Sequence, residues 1–247
     1  MDRLTRTVRE QTALGRLLPL GGPGDTAWIT ESAAVLVLRR AADGLPGVRL
    51  REAGVHLVDW EVADVPAAAP VGALPHRPVR VEAAFEAAAD EPLPLTAQRL
   101  RDTLWDAATA GLGLAVTAVD LRITGLLPDG PAAPAAAEVL EGVVVPDPEE
   151  GPVSARSGPA AAVGAAALAV PGVQRLSRRP TGLGPGVRVR DVPADAPTAR
   201  HVQVRIAVAP GYVALAVARA VAAAVTAAAG PGAPGAVAAA VVVTAAG

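Results

Sequence analysis

The chain has 247 residues and a formal net charge of −2, with a pI near 5.9. This balance argues against a general electrostatic attraction to nucleic acid or to an anionic membrane. The sequence contains no cysteine, which excludes disulfides and thiolate metal sites. Half of the residues are apolar but only 2% are aromatic, so we expect a core of closely packed alanine, valine and leucine.

Residues 1–28 are expected to form an N-terminal helix and a loop. A short helix is predicted over 2–13. The stretch LLPLGGPGDTAWIT that follows is predicted to be a loop, because it is rich in glycine and proline. The first residues carry a charge every few positions and lack the apolar stretch of a secretory signal, so we expect none.

Residues 29–127 form the first predicted module. In chain order we predict a helix over 31–43, one or two strands within 48–62, a strand over 79–86, a helix from 92 to 110 and a strand over 114–124. Thr30 suits the N-cap of the first helix and Gly44 its end. In the last strand the apolar alternation slips between Val116 and Val119, which predicts a bulge.

Residues 128–158 are rich in proline, alanine and acidic side chains, which predicts a flexible linker. The second module, 159–247, begins with an alanine-rich helix. A strand of alternating valines follows, then a helix with valines at every fourth position from Val217, and a closing strand over 237–244. No apolar run of about 18 residues is free of charges and of glycine or proline breaks, so no membrane-spanning helix is expected.

The order of elements is the same in the two modules, which predicts an internal duplication. Three short sequences recur at nearly constant spacing. They are Pro-Gly-Val at 46–48 and 171–173, the alternating strands at 79–85 and 202–208, and LRIT at 121–124 with VVVT at 241–244. We therefore predict an α+β protein of two similar modules. Each is a small, mostly antiparallel sheet of three to four strands with two helices on one face, and the modules pack about a pseudo-two-fold axis.

The segments AALAVPGVQRLS, HVQVRIAV and the final VVVT resemble the alkaline-shock-protein family of bacterial envelope-stress proteins. This likeness covers 161–244 well and 29–127 more weakly. GRLLPLGGPGDTAWITE and VDLRITGLL also resemble actinobacterial proteins labelled as a nucleopolyhedrovirus filament-protein family. The shock-family resemblance implies a non-enzymatic, cytoplasmic protein. It also implies a protein partner at the inner membrane surface, a peripheral location at that membrane and a role in the stress response.

No catalytic, cofactor-binding or metal-binding constellation is expected from the residues. The three histidines, His56, His76 and His201, do not share metal-ligand spacing with one another or with carboxylates. The run from Gly21 to Asp25 lacks the Gly-Lys-Ser/Thr ending of a phosphate loop and follows no predicted strand, so turn punctuation is the better interpretation.

Four residues are candidates for an interaction surface. Trp28 and Trp105 are large aromatic side chains, which serve as interface anchors when exposed and as core fillers when buried. Arg178 and Arg179 lie beside the glycine-rich loop 182–186, where an anion contact competes with the commoner role of a solvated charge pair.

Three functions stay open at this point. A non-catalytic structural or envelope-stress-associated protein, working through protein contacts and with self-association allowed, is the leading hypothesis. A nucleic-acid-binding module is the first alternative, although the acidic pI and the lack of a basic aromatic strand face count against it. An enzyme with an unrecognised site is the second.

Overall fold

The structure is a computed structural model that describes residues 16–58, 66, 69–127, 158–177, 186–192 and 199–247. The helix predicted over 2–13 and residues 128–157 of the predicted linker lie outside these ranges. Arg178 and Arg179 do as well.

Within the described ranges the chain has an α+β fold with four α-helices and two sheets, as the sequence predicts. The strands are β1 (Leu17–Leu20), β2 (Ala27–Thr30), β3 (Val48–Leu57), β4 (Val79–Ala87), β5 (Val116–Leu126), β6 (Val173–Leu176), β7 (Val187–Asp191), β8 (Arg200–Val208) and β9 (Val237–Ala246). The helices are α1 (Glu31–Asp43), α2 (Leu93–Asp106), α3 (Pro159–Leu168) and α4 (Ala214–Ala229), and a π-helical turn, Ala107–Leu112, continues α2.

The smaller sheet has the order β3-β4-β5, and the larger has the order β1-β2-β9-β8-β6 with β7 also paired to β8. Both sheets are mixed. β4 pairs with β5 and β8 pairs with β9 in parallel, because a helix connects each pair and returns the chain to the same end of the sheet. The prediction of mostly antiparallel sheets missed these parallel pairs.

The stretch predicted to be a loop over residues 17–30 is instead a hairpin. Its second strand, β2, runs parallel to β9 with Trp28 opposite Val242, so this hairpin extends the sheet of the second half. All eight strand residues of the hairpin are buried. The glycines and prolines that suggested a loop occupy mainly the turn, and four-residue strands give too short an alternation to recognise.

Helix ends and the predicted bulge agree with the sequence analysis. The Thr30 hydroxyl accepts a hydrogen bond from the Ala33 amide at 3.3 Å, as an N-cap should. Pairing of β4 with β5 slips by one residue at Thr117, which is the predicted bulge between Val116 and Val119.

The two halves share their strand pairing and their entry turns. In each half a Pro-Gly-Val turn leads from a helix into an antiparallel strand, and its glycine has a positive φ: 73° at Gly47 and 89° at Gly172. The Gly47 carbonyl accepts from the Ala88 amide at 2.8 Å, and the Gly172 carbonyl accepts from the Ala209 amide at 2.9 Å.

The last strand of each half, β5 or β9, also has a bulge near its end. Pairing slips immediately after Phe85 in the first half, which leaves Thr124 unpaired, and after Ile206 in the second, which leaves Thr244 unpaired. The Thr124 hydroxyl donates to the Phe85 carbonyl and the Thr244 hydroxyl to the Ile206 carbonyl, each at 3.1 Å. These positions agree with the predicted match of LRIT to VVVT. The duplication itself stays a prediction.

The predicted match between the two alternating strands is displaced by two residues. Val48 pairs with Ala87 in the first half, and Val173 pairs with Val208 in the second. Val208 therefore corresponds to Ala87, not to Phe85 as predicted. Alternation repeats every two residues, so any even shift keeps the same face buried and only the pairing fixes the register.

One cluster of buried apolar side chains includes residues from both sheets and all four helices, and it joins the two halves. The predicted valine stripe of α4 lies in it, with Val221 and Val225 fully buried. The N-terminal hairpin, which extends the sheet of the second half, also contacts the first half where the Gly21 amide donates to the Gly113 carbonyl at 2.9 Å. A Cβ at Gly113 would lie 2.4 Å from the Cβ of Leu215, so glycine is required for this approach. The pseudo-two-fold relation stays a prediction.

Among the described helices, none has both the length and the apolar character needed to cross a bilayer.

Candidate functional site

The two faces of the three-stranded sheet have opposite character. One face packs against the helices through side chains such as Val81 and Phe85, which are fully buried. The other, which we call the open face, carries polar side chains at the alternate positions. It consists of Arg49, Glu52, Gly54 and His56 on β3, Arg80, Glu82, Ala84 and Glu86 on β4, and Asp120 and Arg122 on β5. Arg51, at the irregularity of β3, reaches this face through Glu86.

Opposite charges face each other across the strands of the open face. The ion pairs are Arg49–Glu86 at 3.5 Å, Arg51–Glu86 at 3.7 Å, Arg80–Asp120 at 3.4 Å and Arg122–Glu52 at 3.6 Å. Nε2 of His56 lies 3.9 Å from Glu82, a contact that is an ion pair only when the imidazole is protonated. All of these side chains are partly or largely exposed, so each pair contributes at most about 1 kcal/mol to stability. The face is a balanced lattice of charges whose members can change partners at little cost.

Ala84 forms the floor at the centre of this lattice. It is only 4% exposed although it points to the open face. Arg122 on β5 and Glu52 on β3 meet across it, because both lie in register with Ala84 on the central strand. The hollow around them has a volume of about 560 Å³. Its lining supplies carboxylates, an imidazole and a guanidinium, which suits ion pairs and hydrogen bonds with a charged partner.

The outer edge of β5 is the second feature of this sheet. The Val79 amide donates to the Ala115 carbonyl at the start of the β4–β5 pairing. Backbone groups alternate along a strand, so after the bulge those of Val119, Leu121 and Ile123 point away from β4. The Val119 carbonyl accepts from Nε of Arg101 at 3.3 Å, which agrees with this direction.

No described strand lies along the outer edge of β5. On the side of the sheet that faces the helices, Ile123 is 40% exposed and Leu126 is 59% exposed, so the end of β5 is incompletely covered. The corresponding edge of β9 is covered by β2, and the Val241 amide donates to Thr26 there at 2.9 Å. The two halves thus differ at equivalent edges.

Trp28 and Trp105, both predicted as candidate interaction residues, lie in different parts of the fold. Trp28 is fully buried, and its Nε1 donates to the Leu74 carbonyl at 3.0 Å, so its contacts are internal. Trp105 is 38% exposed on α2. The π-helical turn begins just after it, and the Thr109 hydroxyl donates to the Trp105 carbonyl at 2.7 Å. Of these two tryptophans, only Trp105 is available at the surface.

Two ion pairs hold the N-terminal hairpin and α1 in place. The Arg219 guanidinium on α4 donates to both oxygens of Asp25 at 2.7 and 2.8 Å, and it holds the pKa of Asp25 below its usual range. In the same way Arg16 donates to both oxygens of Glu31 at 3.0 and 2.8 Å and lowers the pKa of that carboxyl. These contacts position the hairpin and do not form a ligand site.

Arg200 is a buried charge that the sequence analysis did not single out. It is 4% exposed, and it donates to both oxygens of Asp191 at 2.5 and 2.9 Å. It also donates to the Ala229 carbonyl at 2.9 Å and the Gly232 carbonyl at 3.1 Å, at the end of α4, where a cation is favourable. The hydrogen bond from Arg200 lowers the pKa of Asp191. Arg200 therefore ties β7 and α4 together.

The residues of the open face were visible in the sequence only as alternating charges, for example in VRVEAAFE. Across the part of the chain that the structure describes, no group of three histidine, aspartate or glutamate side chains is placed to share a metal ion. Comparison of the chain with family models, with curated proteins and with solved structures gives no match.

Proposed function

We propose that this protein is non-catalytic and acts as a structural, envelope-stress-associated protein that binds a protein partner on the open face of its three-stranded sheet. The observation that carries this proposal is the lattice of exposed, alternating charges on that face. It is displayed on three paired strands whose other side is buried in the core.

The chemistry of the lattice favours a protein partner. Four arginines (Arg49, Arg51, Arg80 and Arg122) balance four carboxylates (Glu52, Glu82, Glu86 and Asp120), so the face has no net attraction for a polyanion. Exposed pairs exchange partners easily, and complementary charge patterns confer specificity and orientation more than raw affinity. A partner with a matching pattern of charges would replace these internal pairs one for one.

The resemblance to the alkaline-shock-protein family supports the cellular part of the proposal. It suggests a cytoplasmic protein that works at the periphery of the inner membrane with a membrane or envelope protein. The shared turns and threonine bulges support the proposal that the halves arose by duplication, with the first half keeping an open face for binding.

The test is affinity purification of the tagged, full-length chain from its native host, with and without envelope stress. The variant Glu52→Arg/Glu82→Arg reverses two charges at the centre of the face. The control Asp90→Arg/Asp106→Arg reverses two exposed carboxylates elsewhere. We expect an envelope or membrane protein to co-purify with the wild type and the control, and to be lost with the face variant. Recovery of no such protein, or equal recovery with all three, would contradict the proposal.

A further inference from the structure

We infer that β5 pairs with β5 of a second copy of this chain, antiparallel and about a two-fold axis, which joins two three-stranded sheets into one sheet of six strands. This goes beyond the proposed partner of the open face. The pairing uses backbone groups at the edge, whereas the partner uses side chains on the face.

The edge offers the hydrogen-bonding groups that such a pairing needs. The backbone groups of Val119, Leu121 and Ile123 point outward, and no described strand lies along them. At the equivalent positions of β9 the same outward groups take β2 as a neighbour. An unpaired edge strand is a template for another strand, and two copies of one edge satisfy each other.

The charges on β5 select the register. With the axis at Leu121, Asp120 of each copy lies opposite Arg122 of the other on the open face, so two ion pairs form across the axis. Moving the axis by one residue places it at Asp120, where Asp120 faces Asp120, or at Arg122, where Arg122 faces Arg122. Only the register centred on Leu121 joins opposite charges.

The same register also covers apolar surface. Ile123, which is 40% exposed, lies opposite Val119 of the second copy on the side that faces the helices. Leu121 lies opposite its own counterpart, and the backbones of these two residues exchange both hydrogen bonds. One arrangement therefore gives the outward backbone groups of β5 hydrogen-bond partners, pairs Asp120 with Arg122 and covers the exposed Ile123.

Arg101 opposes this pairing in the single chain. Its Nε donates to the Val119 carbonyl at 3.3 Å, and its Nη1 donates to Gln98 at 3.0 Å. In the dimer the Ile123 amide of the second copy donates to the Val119 carbonyl, so Arg101 competes for this acceptor. A charged side chain on an edge is a common device against uncontrolled strand addition. We therefore expect Arg101→Ala to strengthen dimerisation.

The test is sedimentation velocity on the purified full-length chain over a range of concentrations. Asp120→Arg places arginines opposite arginines, and Arg122→Asp places aspartates opposite aspartates. Each variant alone is expected to dimerise about tenfold or more weakly than the wild type. An equimolar mixture of the two recreates both opposite-charge pairs and is expected to form a heterodimer with near wild-type affinity. The control Asp90→Arg changes an exposed charge in the turn before α2, beside Gly47 and away from the edge of β5, and is expected to leave dimerisation unchanged.

A second measurement uses the absence of cysteine in the chain. Leu121→Cys places two thiols across the axis at about 5.5 Å between Cα atoms, within the range of a disulfide, so mild oxidation is expected to cross-link the dimer. Glu82→Cys is the control that should not cross-link. A wild-type chain that stays monomeric at all concentrations, or a mixture no better than its components, would overturn the inference. Because only purified protein is used, that failure is distinct from failure to recover a host partner.

Discussion

The indole of Trp28 and the imidazole of His76 pack edge to face on the outer side of the six-stranded sheet, with ring centroids 4.9 Å apart. Trp28 donates to the Leu74 carbonyl at 3.0 Å, and Nε2 of His76 lies 3.3 Å from the Ala27 carbonyl. The described residues from 69 to 76 are thus fastened over the side of the sheet where Trp28, Leu17 and Val242 form a small second cluster.

This contact predicts a pH-dependent stability. Burial lowers the pKa of His76 below its ordinary value of 6.5, so folding favours the neutral imidazole. As pH falls below 6.5 the unfolded chain takes up this proton first, and the stabilisation present at higher pH is lost until the lowered pKa is passed. We expect the free energy of unfolding, measured in urea, to fall over this range for the wild type. It should fall less for His76→Gln, and equal slopes for the two proteins would contradict the assignment.

The two Pro-Gly-Val turns predict unequal costs for the same substitution. Gly47 and Gly172 both have positive φ, so alanine at either position costs roughly 1–2 kcal/mol in backbone strain. A Cβ at Gly172 would also lie 2.6 Å from the Tyr212 ring and 2.8 Å from Val217, whereas the nearest atom to a Cβ at Gly47 is 3.3 Å away. We expect Gly172→Ala to lower the free energy of unfolding by about 1–3 kcal/mol more than Gly47→Ala does. A reversed order in urea titrations would show that these turns are packed differently.

The two threonine bulges predict a similar matched pair. Thr244 donates to the Ile206 carbonyl at 3.1 Å and also forms a 2.5 Å hydrogen bond with the hydroxyl of Ser177, which is 7% exposed. Thr124 makes the equivalent carbonyl contact but is exposed. We expect Thr244→Val to cost about 1–3 kcal/mol, because it leaves a buried hydroxyl without this partner, and Thr124→Val to cost about 0.5–1 kcal/mol. Thermal unfolding of both variants measures the difference, and equal costs would mean that burial does not separate the two sites.

The contact between Gly113, at the end of the π-helical turn, and Leu215 of α4 predicts how tightly the two halves are joined. Gly113 has a φ of 85°, and its missing Cβ leaves room for Leu215 of α4. Gly113→Ala is expected to cost about 2–5 kcal/mol, from backbone strain together with overpacking. Gly111→Ala is the control, because nothing lies within 4 Å of a Cβ there. If both variants melt at the same temperature, Gly113 is not a tight contact between the halves.

Much of the fold could be predicted because its helices and long strands have clear local signals. The N-cap at Thr30, the valine stripe of α4 and the bulge before Val119 all follow from spacing within a few residues. The β1–β2 hairpin could not be predicted, since its partner β9 is more than 200 positions away in the chain and its strands have four residues each. Long-range pairing of short strands leaves no local pattern.

The candidate site was predictable only in part. Arg80 and Glu82 alternate with valines, which indicates a polar face. Which charges meet across the strands depends on register, and β3 contains an irregularity between Leu50 and Glu52 that the sequence analysis did not predict. The meeting of Arg122 with Glu52 over Ala84 could therefore be found only from the pairing of all three strands.

We infer that the edge of β5 is open to a partner strand, because no described strand lies along it, whereas the equivalent edge of β9 is occupied by β2. Residue-resolved hydrogen exchange of the full-length protein tests this inference most directly. In dilute solution we predict that the Leu121 and Ile123 amides exchange far faster than those of Val241 and Val243, and that they become protected as concentration rises. Equal protection of all four amides in dilute protein would contradict the claim, because it would mean that the chain covers both edges itself.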